Sequence, residues 1–212
     1  MADTTTRHVL TEAFWPAEGT MLWVKRLVLV ALGIVALALS AKISVPVWPS
    51  PVPITLGTFA VLTIGVAYGP RLGLATIVGY LAIGALGADV FAGSSAGTNG
   101  IAYMLGGTGG YLVGYALAVV ALGYAARRGW DRSVLGMAAA LVIGNLLIYV
   151  AGLAWLHHLV VGGLFDPASY ASAWQQTLAW GLSPYLVGDA LKLVLAALVV
   201  PGLWKLIGSA RA

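Results

Sequence analysis

Residues Ser183–Trp204 read SPYLVGDALKLVLAALVVPGLW, and this stretch decides what kind of chain this is. Its opening is a helix-start signal: the Ser183 hydroxyl can cap an orphan backbone N–H, and Pro184 suits the first helical position. At 1.5 Å per residue the run spans about 30 Å, one hydrocarbon thickness. Two charges interrupt it, Asp189 and Lys192, three residues apart and therefore on one face. A charge at membrane depth costs on the order of 3 kcal/mol, and such residues commonly mark a substrate or ion path. The pair reads either as a ligand-contacting site or as a structural ion pair between helices.

The rest of the chain has the same character. Only 8% of its 212 residues are charged and 60% are hydrophobic, against roughly 25% charged in a soluble domain. The composition predicts an all-α integral membrane protein, with room for five or six spans. Zero cysteines exclude disulfides, thiolate metal sites and a cysteine nucleophile. A net charge of +4 is no sign of nucleic acid, because no basic run or basic–aromatic interleaving accompanies it. The basic residues instead flank apolar segments.

Taken in order, residues 1–20 are polar and read as a loose or interfacial cytoplasmic lead-in to one transmembrane domain, 21–212. Met21–Ser44 carries Lys25-Arg26 ahead of an apolar core. A cleavable signal peptide has the same layout, but Lys42 and the prolines behind it favour a retained first helix. VPVWPSPVP, residues 45–53, holds four prolines and reads as a stiff extended connection. Ile54–Tyr68 is a short second span, Gly69-Pro70-Arg71 a tight turn, and Leu72–Gly87 a returning third span. A Gly/Ser-rich connection, 88–100, leads through a brief helical patch at 101–105 and GGTGG at 106–110 to a fourth span ending near Ala126. RRGWDR, 127–132, is a loop. Val134–Val161 is the fifth span. Asp166-Pro167 starts an interfacial helix carrying Tyr170, Trp174 and Leu178 at i, i+4 and i+8. Ser183 starts the sixth.

Six spans permit a charge test. With the N-terminus inside, Arg7, Lys25, Arg26, Arg71, Arg127, Arg128, Arg132, Lys205 and Arg211 all fall on the inner side, nine of the eleven Lys and Arg residues. Only Lys42 and Lys192 remain toward the outer half. The positive-inside rule then gives N-in, C-in. It also gathers the Pro-rich connection, the Asp89–Asn99 loop, GGTGG, His157-His158, Asp189 and Lys192 toward the outer side.

Asp189 can accept from ligand N–H groups, and Lys192 can neutralise a carboxylate. Together they suit a small, mostly apolar molecule with an anionic tail and amide-like hydrogens. Lys42 is a further candidate, or a helix-end lysine snorkelling to the interface. Asn99 is either a ligand contact or a turn residue. Phe91, Tyr103, Tyr111 and Trp48 are candidate aromatic walls. Asn145 reads as a helix–helix hydrogen bond. His157-His158 is a poor metal signal, since adjacent residues face apart and partner ligands are not evident. GGTGG lacks the Lys-Ser/Thr ending of a nucleotide loop, so the chain by itself has no means of hydrolysing ATP.

PVPITLGTFAVLTIGVAYGPRLGLATIVGYLAIGALG, then VFAG, GTGGYLVGY and GDALK, resemble in order and spacing the BioY family. These are the biotin-specific S components of prokaryotic energy-coupling factor (ECF) transporters. The resemblance, running from about Ile43 to Lys192, implies an S-component-like six-helix bundle in the cytoplasmic membrane. It implies capture of biotin in an outward-facing pocket, and handover to a transmembrane coupling (T) protein with two ATP-binding-cassette ATPases. The family's Asp-x-x-Lys matches Asp189 and Lys192. An Asn ahead of the Gly-Thr-Gly-Gly block matches Asn99. Small residues spaced by four, which dock related S components to their coupling protein, match Ala36 and Ser40. In biotin, Asp189 would take a ureido N–H, Asn99 the ureido edge, and Lys192, aided by Lys42, would balance charge; alternatively Asp189 and Lys192 pair with each other. Departures from the pattern are Gly57, Asp89 and Gly107, where Gln, Pro and Pro are usual.

No cofactor is implied. Two other classes remain open: a self-sufficient secondary carrier for a carboxylated vitamin, and a membrane-embedded enzyme using Asp189, His157 and His158. Against the enzyme, the sequence offers no nucleophile–base pair or metal set at workable spacing.

Overall fold

A computed structural model of the chain describes residues 8–94 and 98–210. Arg7 and Arg211, both used in the charge test, lie outside the described residues. Eight α-helices are found among these: α1 (Leu10–Phe14), α2 (Gly19–Lys42), α3 (Gly57–Ala85), α4 (Gly100–Met104), α5 (Gly109–Arg127), α6 (Val134–Leu159), α7 (Ala173–Gly181) and α8 (Leu186–Ala210). Five of them are long and apolar enough to cross a membrane.

The continuous run α3 is two limbs. Gly69 at φ 75°, ψ 176° leaves the helix, and Pro70 behind it has no N–H to continue the ladder. In a straight helix Gly65 and Gly73 would stand about 12 Å apart. Instead, a Cβ built on Gly73 would lie 3.7 Å from the Gly65 Cα. The register against α2 shows the same reversal. Gly57 faces Ala41, and the Tyr68 hydroxyl donates to Leu29 O at 2.9 Å. Gly33 then faces Thr76, and Lys42 meets Asp89. The chain runs down α2's length and returns, so the expected Gly69-Pro70-Arg71 turn separates two antiparallel segments. The first limb, 57–68, is only about 18 Å long.

Helix α5 packs between α3 and α6 and forms the centre of the bundle, with α2 on α3 and α8 on α6. The approach of α5 to α6 depends on Gly114: a Cβ there would stand 2.7 Å from the Ile148 Cα. Outward faces are apolar. Leu27, Leu32, Val35 and Leu39 of α2, and Val187, Leu191, Val194 and Leu198 of α8, are all exposed. A water-soluble fold would bury such rows, whereas hydrocarbon solvates them.

Three boundaries differ from the sequence reading. Residues 8–14 are docked rather than loose: Val9 is fully buried, and Thr11 Oγ1 donates to Ala67 O at 3.0 Å. Arg127 from the end of α5 grips Glu12 with both arms, Nη1–Oε2 at 2.8 Å and Nη2–Oε1 at 2.5 Å. Helix α7 starts at Ala173, where Ser172 caps Gln175 N at 3.2 Å; Asp166 instead makes an Asx turn, accepting from Ala168 N at 3.1 Å. Tyr170 therefore precedes the helix and accepts from Trp180 Nε1 at 3.0 Å. Helix α8 begins at Leu186, because the Ser183 hydroxyl donates backward to Leu178 O at 3.2 Å. Leu178 O, which also accepts from the Leu182 and Ser183 N–H groups, holds the serine at the end of α7.

The described basic residues Arg71, Arg127, Arg128 and Arg132 cluster with Glu12 at the end of the bundle where Gly69 turns. Asp131 there accepts from Trp204 Nε1 at 2.6 Å, beneath the Arg132 guanidinium 4.5 Å above that indole. Lys42 and Asp89 lie at the opposite end. A two-residue ribbon, β1 (Ser44–Val45) with β2 (Ile54–Thr55), closes the Pro-rich connection at that opposite end.

Candidate functional site

At the end away from the basic cluster, the helices part around a cavity holding about 640 Å³ of open space, mouth included. Its lining is aromatic with a charged wall: Tyr80, Tyr103, Tyr111, Tyr115, Tyr149 and Tyr185 surround Asp189 and Lys192.

Each wall residue is placed by its element. Asp189 and Lys192 share the inward face of α8, and Tyr185 stands one turn earlier on the same face. Tyr111 and Tyr115 are one turn apart on α5. Tyr149 reaches in from α6, and Thr55 and Thr58 come from the β2–α3 corner.

Asp189 is buried, and its Oδ1 lies 2.9 Å from Lys192 Nζ. Its Oδ2 accepts from the Tyr149 hydroxyl at 2.6 Å. Lys192 Nζ also donates to Thr55 O at 2.7 Å and to Thr58 Oγ1 at 3.2 Å. A charge pair at this depth is tolerable because each charge is hydrogen-bonded, and here the network ties α6, α8 and the β2–α3 corner together. Tyr111 donates to Gly181 O at 2.7 Å, joining α5 to the end of α7. Tyr185 donates to Val52 O in the Pro-rich connection, with Ser50 Oγ 3.0 Å away.

Of the residues singled out from sequence, Asp189, Lys192, Tyr111 and Tyr103 meet in this lining. The others stand elsewhere. Asn99 precedes α4 and donates its Nδ2–H to Gly87 O at 2.9 Å, bracing the connection after α3. Phe91 is fully buried behind the wall, stacked on Tyr103 at 4.9 Å and edge-on to Tyr80 at 5.4 Å. Lys42 is tied to Asp89 Oδ1 at 2.5 Å and to Ser94 Oγ and O at 3.2 Å each. These bonds from Lys42 and from the Ser94 hydroxyl hold the Asp89 carboxyl below its ordinary value. Trp48 is 94% exposed. On α2, Ala36 lies on the outward face and Ser40 is half-buried.

The buried Asn145 makes no interhelical bond through its Oδ1, which finds no hydrogen-bond partner among the described residues. His157 stacks on Trp174 at 3.8 Å and meets Thr177 Oγ1 at 3.0 Å. Among the described residues no group of three or more His, Cys, Asp and Glu could hold a metal ion.

Tyr80, Tyr115, Tyr149, Tyr185, Thr55 and Thr58 escape the sequence reading. A signal existed for two of them. Tyr185 is four residues before Asp189 and Tyr115 four after Tyr111, so each shares a face with a residue already under consideration.

A multi-pass helical bundle with an aromatic cavity and a buried acid–base pair is the architecture of a small-molecule membrane carrier or binding component. Its fold is similar to that of a solved protein, the S-component for biotin from an ECF-type ABC transporter, with a TM-score of 0.71 at 21% identity over 89% of this chain and 95% of that one. The family model for BioY matches residues 8–209, and the chain belongs to the BioY family. Its relatives include the probable biotin transporter BioY of Pyrococcus horikoshii, 34% identical over 82% of this chain and 93% of that protein. The biotin transporter BioY of Thermotoga maritima is 31% identical over 80% of this chain and 90% of its own length.

Proposed function

We propose that this protein is the biotin-binding component of a vitamin uptake system in a prokaryotic cytoplasmic membrane. It acts as a transport component and not as an enzyme. The observation that carries this reading is the buried Asp189 carboxylate facing an aromatic cavity. It holds two partners and keeps lone pairs to spare, an arrangement suited to the N–H groups of a ureido ring. The surrounding phenols suit the apolar bicycle. Family membership and the likeness of fold support the same ligand.

The clustering of basic residues at the opposite end supports an orientation with both termini inside and the cavity opening outward. With no nucleotide loop of its own, the chain hands biotin to a T protein and two ATPases. Ala36 and Ser40 on α2 are the candidate docking face.

The test is equilibrium binding of labelled biotin to the detergent-purified chain, followed by uptake in cells with and without a coupling module. Saturable binding near one to one, with uptake only when the module is present, is the expected result. Folded protein that ignores biotin would sink the substrate assignment. Uptake in cells lacking any module would make the chain a self-sufficient carrier.

A further inference from the structure

We propose that the lipid-facing groove between the second limb of α3 (70–85) and α5 is a binding site for an anionic phospholipid, with Arg71 and Arg128 holding its phosphate. The arginines at the basic end are not alike. Arg127 is held by Glu12, Arg26 lies over the Trp23 ring, and Arg132 lies over that of Trp204. Arg71 and Arg128 are exposed, and among the described residues neither guanidinium has an ion-pair, hydrogen-bond or ring partner. Glu12 and Asp131 are already engaged, by Arg127 and by Trp204.

Both free arginines end lipid-facing rows on neighbouring helices. A Cβ at Gly123 would fall 2.2 Å from Pro70 N, and one at Gly73 would fall 2.5 Å from Val119 Cγ1. The second limb and α5 therefore run antiparallel in close contact, with Arg71 level with Tyr124 and Arg128 one turn beyond. From Arg71 the exposed row continues through Ala75, Val78 and Ala82; on α5 it runs from Arg128 through Tyr124 to Leu117. Between each row and the packed face lie half-buried Leu74 and Leu81 on one helix, and Ala116 and Val120 on the other. The groove is thus apolar along its length and cationic at one end. From Arg71 to Ala82 it spans about 17 Å, against roughly 15 Å for the hydrocarbon of one leaflet.

That shape and charge select the occupant. An acyl chain fills an apolar groove that is continuous with the lipid-facing surface of the bundle. Unpaired guanidinia at the membrane boundary attract phosphate, which arginine grips through its forked donors, and basic pockets between spans bind anionic headgroups in this way. Free phosphate would leave the groove unused, and a zwitterionic lipid would bring an ammonium toward two cations.

The test uses the full chain reconstituted in phosphatidylcholine vesicles with a trace of phosphatidylglycerol or phosphatidylcholine spin-labelled on its acyl chain. The expected result is a motionally restricted population that favours phosphatidylglycerol at least about fivefold, the equivalent of one arginine beside an anionic surface. Arg71→Gln combined with Arg128→Gln should abolish the preference. Arg26→Gln combined with Arg132→Gln removes the same charge from the same end and should leave the preference in place. No preference in the unmodified chain, or one that the first pair of substitutions does not reduce, would overturn the proposal. So would equal losses from the two pairs, which would make the effect one of diffuse charge.

Ala75→Cys gives an independent readout, because the chain has no cysteine of its own and a nitroxide attached there reports what fills the groove. Frequent collision with oxygen and little with a water-soluble nickel chelate is the result expected of lipid. Ready access to the chelate would place water in the groove. Protection from both would place a second copy or a partner protein over it, and either finding refutes the lipid site. Should the arginine variants fail to fold, the lipid preference of the unmodified chain and the nitroxide at 75 still decide the question.

Discussion

Two ion pairs anchor opposite ends of this bundle, and they do different work. Glu12–Arg127 joins residues far apart in sequence, closing the basic end by pinning α1 across α5 and the Gly69 turn. Asp189–Lys192 joins neighbours on a single helix, which by itself links nothing. Its structural reach comes from Tyr149, Thr55 and Thr58, and its exposure to a cavity gives it chemistry. The Glu12 and Arg127 side chains are 34% and 27% exposed, against 9% and 13% for Asp189 and Lys192. A partly hydrated pair is screened and modest. A buried pair costs much to make and more to break. A clasp can therefore be weak and numerous in its contacts, whereas a binding site must be strong and few.

That contrast can be broken by exchange of roles. Asp189→Asn should have the largest effect. It strands Lys192 at membrane depth and removes the ligand's acceptor, so biotin affinity should fall at least a hundredfold and stability by about 3 kcal/mol, read by equilibrium binding and thermal unfolding. If affinity survives, the pair is structural and the ligand site lies elsewhere. Gly114→Leu comes next, at about 3 kcal/mol of stability. A Cβ there already sits 2.7 Å from the α6 backbone, and α6 carries Tyr149, so affinity should fall with stability.

Tyr149→Phe sharpens the comparison. It deletes the 2.6 Å bond to Asp189, and should cost about tenfold in affinity, or 1.4 kcal/mol, with thermal stability changing less. Unchanged affinity would show that Asp189 is held by Lys192 alone. Glu12→Gln should be smallest, lowering stability by up to about 1 kcal/mol with the biotin Kd unaltered. A changed Kd would couple the two ends of the molecule.

Acid should separate the clasps from the site as well. Burial raises the Glu12 carboxyl, but the Arg127 guanidinium outweighs it, and the net value lies below the ordinary one of 4.5. A depressed folded value means that the stabilisation is present above about pH 4.5 and is lost as pH falls through the folded value. The Lys42–Asp89 tether behaves alike, below the ordinary 3.8. Thermal melts between pH 3 and 7 check this. Glu12→Gln should flatten the acid limb.

Much of this was legible because membrane solvent makes exceptions conspicuous. Asp189 and Lys192 stand out in an apolar helix as they would not on a soluble surface, and Gly69-Pro70 leaves an α-helix few options. Tyr149 was not legible. A tyrosine in an apolar span has many uses, and only the packing of α6 against α8 brings its hydroxyl to Asp189. Asn99 and Lys42 were plausible ligand contacts by type, but the partners that claim them, Gly87 O and Asp89, are set by how the connection after α3 folds back. Ser183 failed as a cap for the same reason, since a neighbouring helix end reached it first.

Composition, hydrophobic run length and the spacing of charges determined by themselves that this is a helical membrane protein with a polar pair three residues apart in its last span. Those features depend on transfer free energy and helical periodicity, which are local. Which groups close around that pair, which candidates are drawn away, and that the first residues of the fold are a clasp were decided only in the tertiary structure. Hydrogen-bond partners are chosen there by competition between segments that the sequence lists far apart.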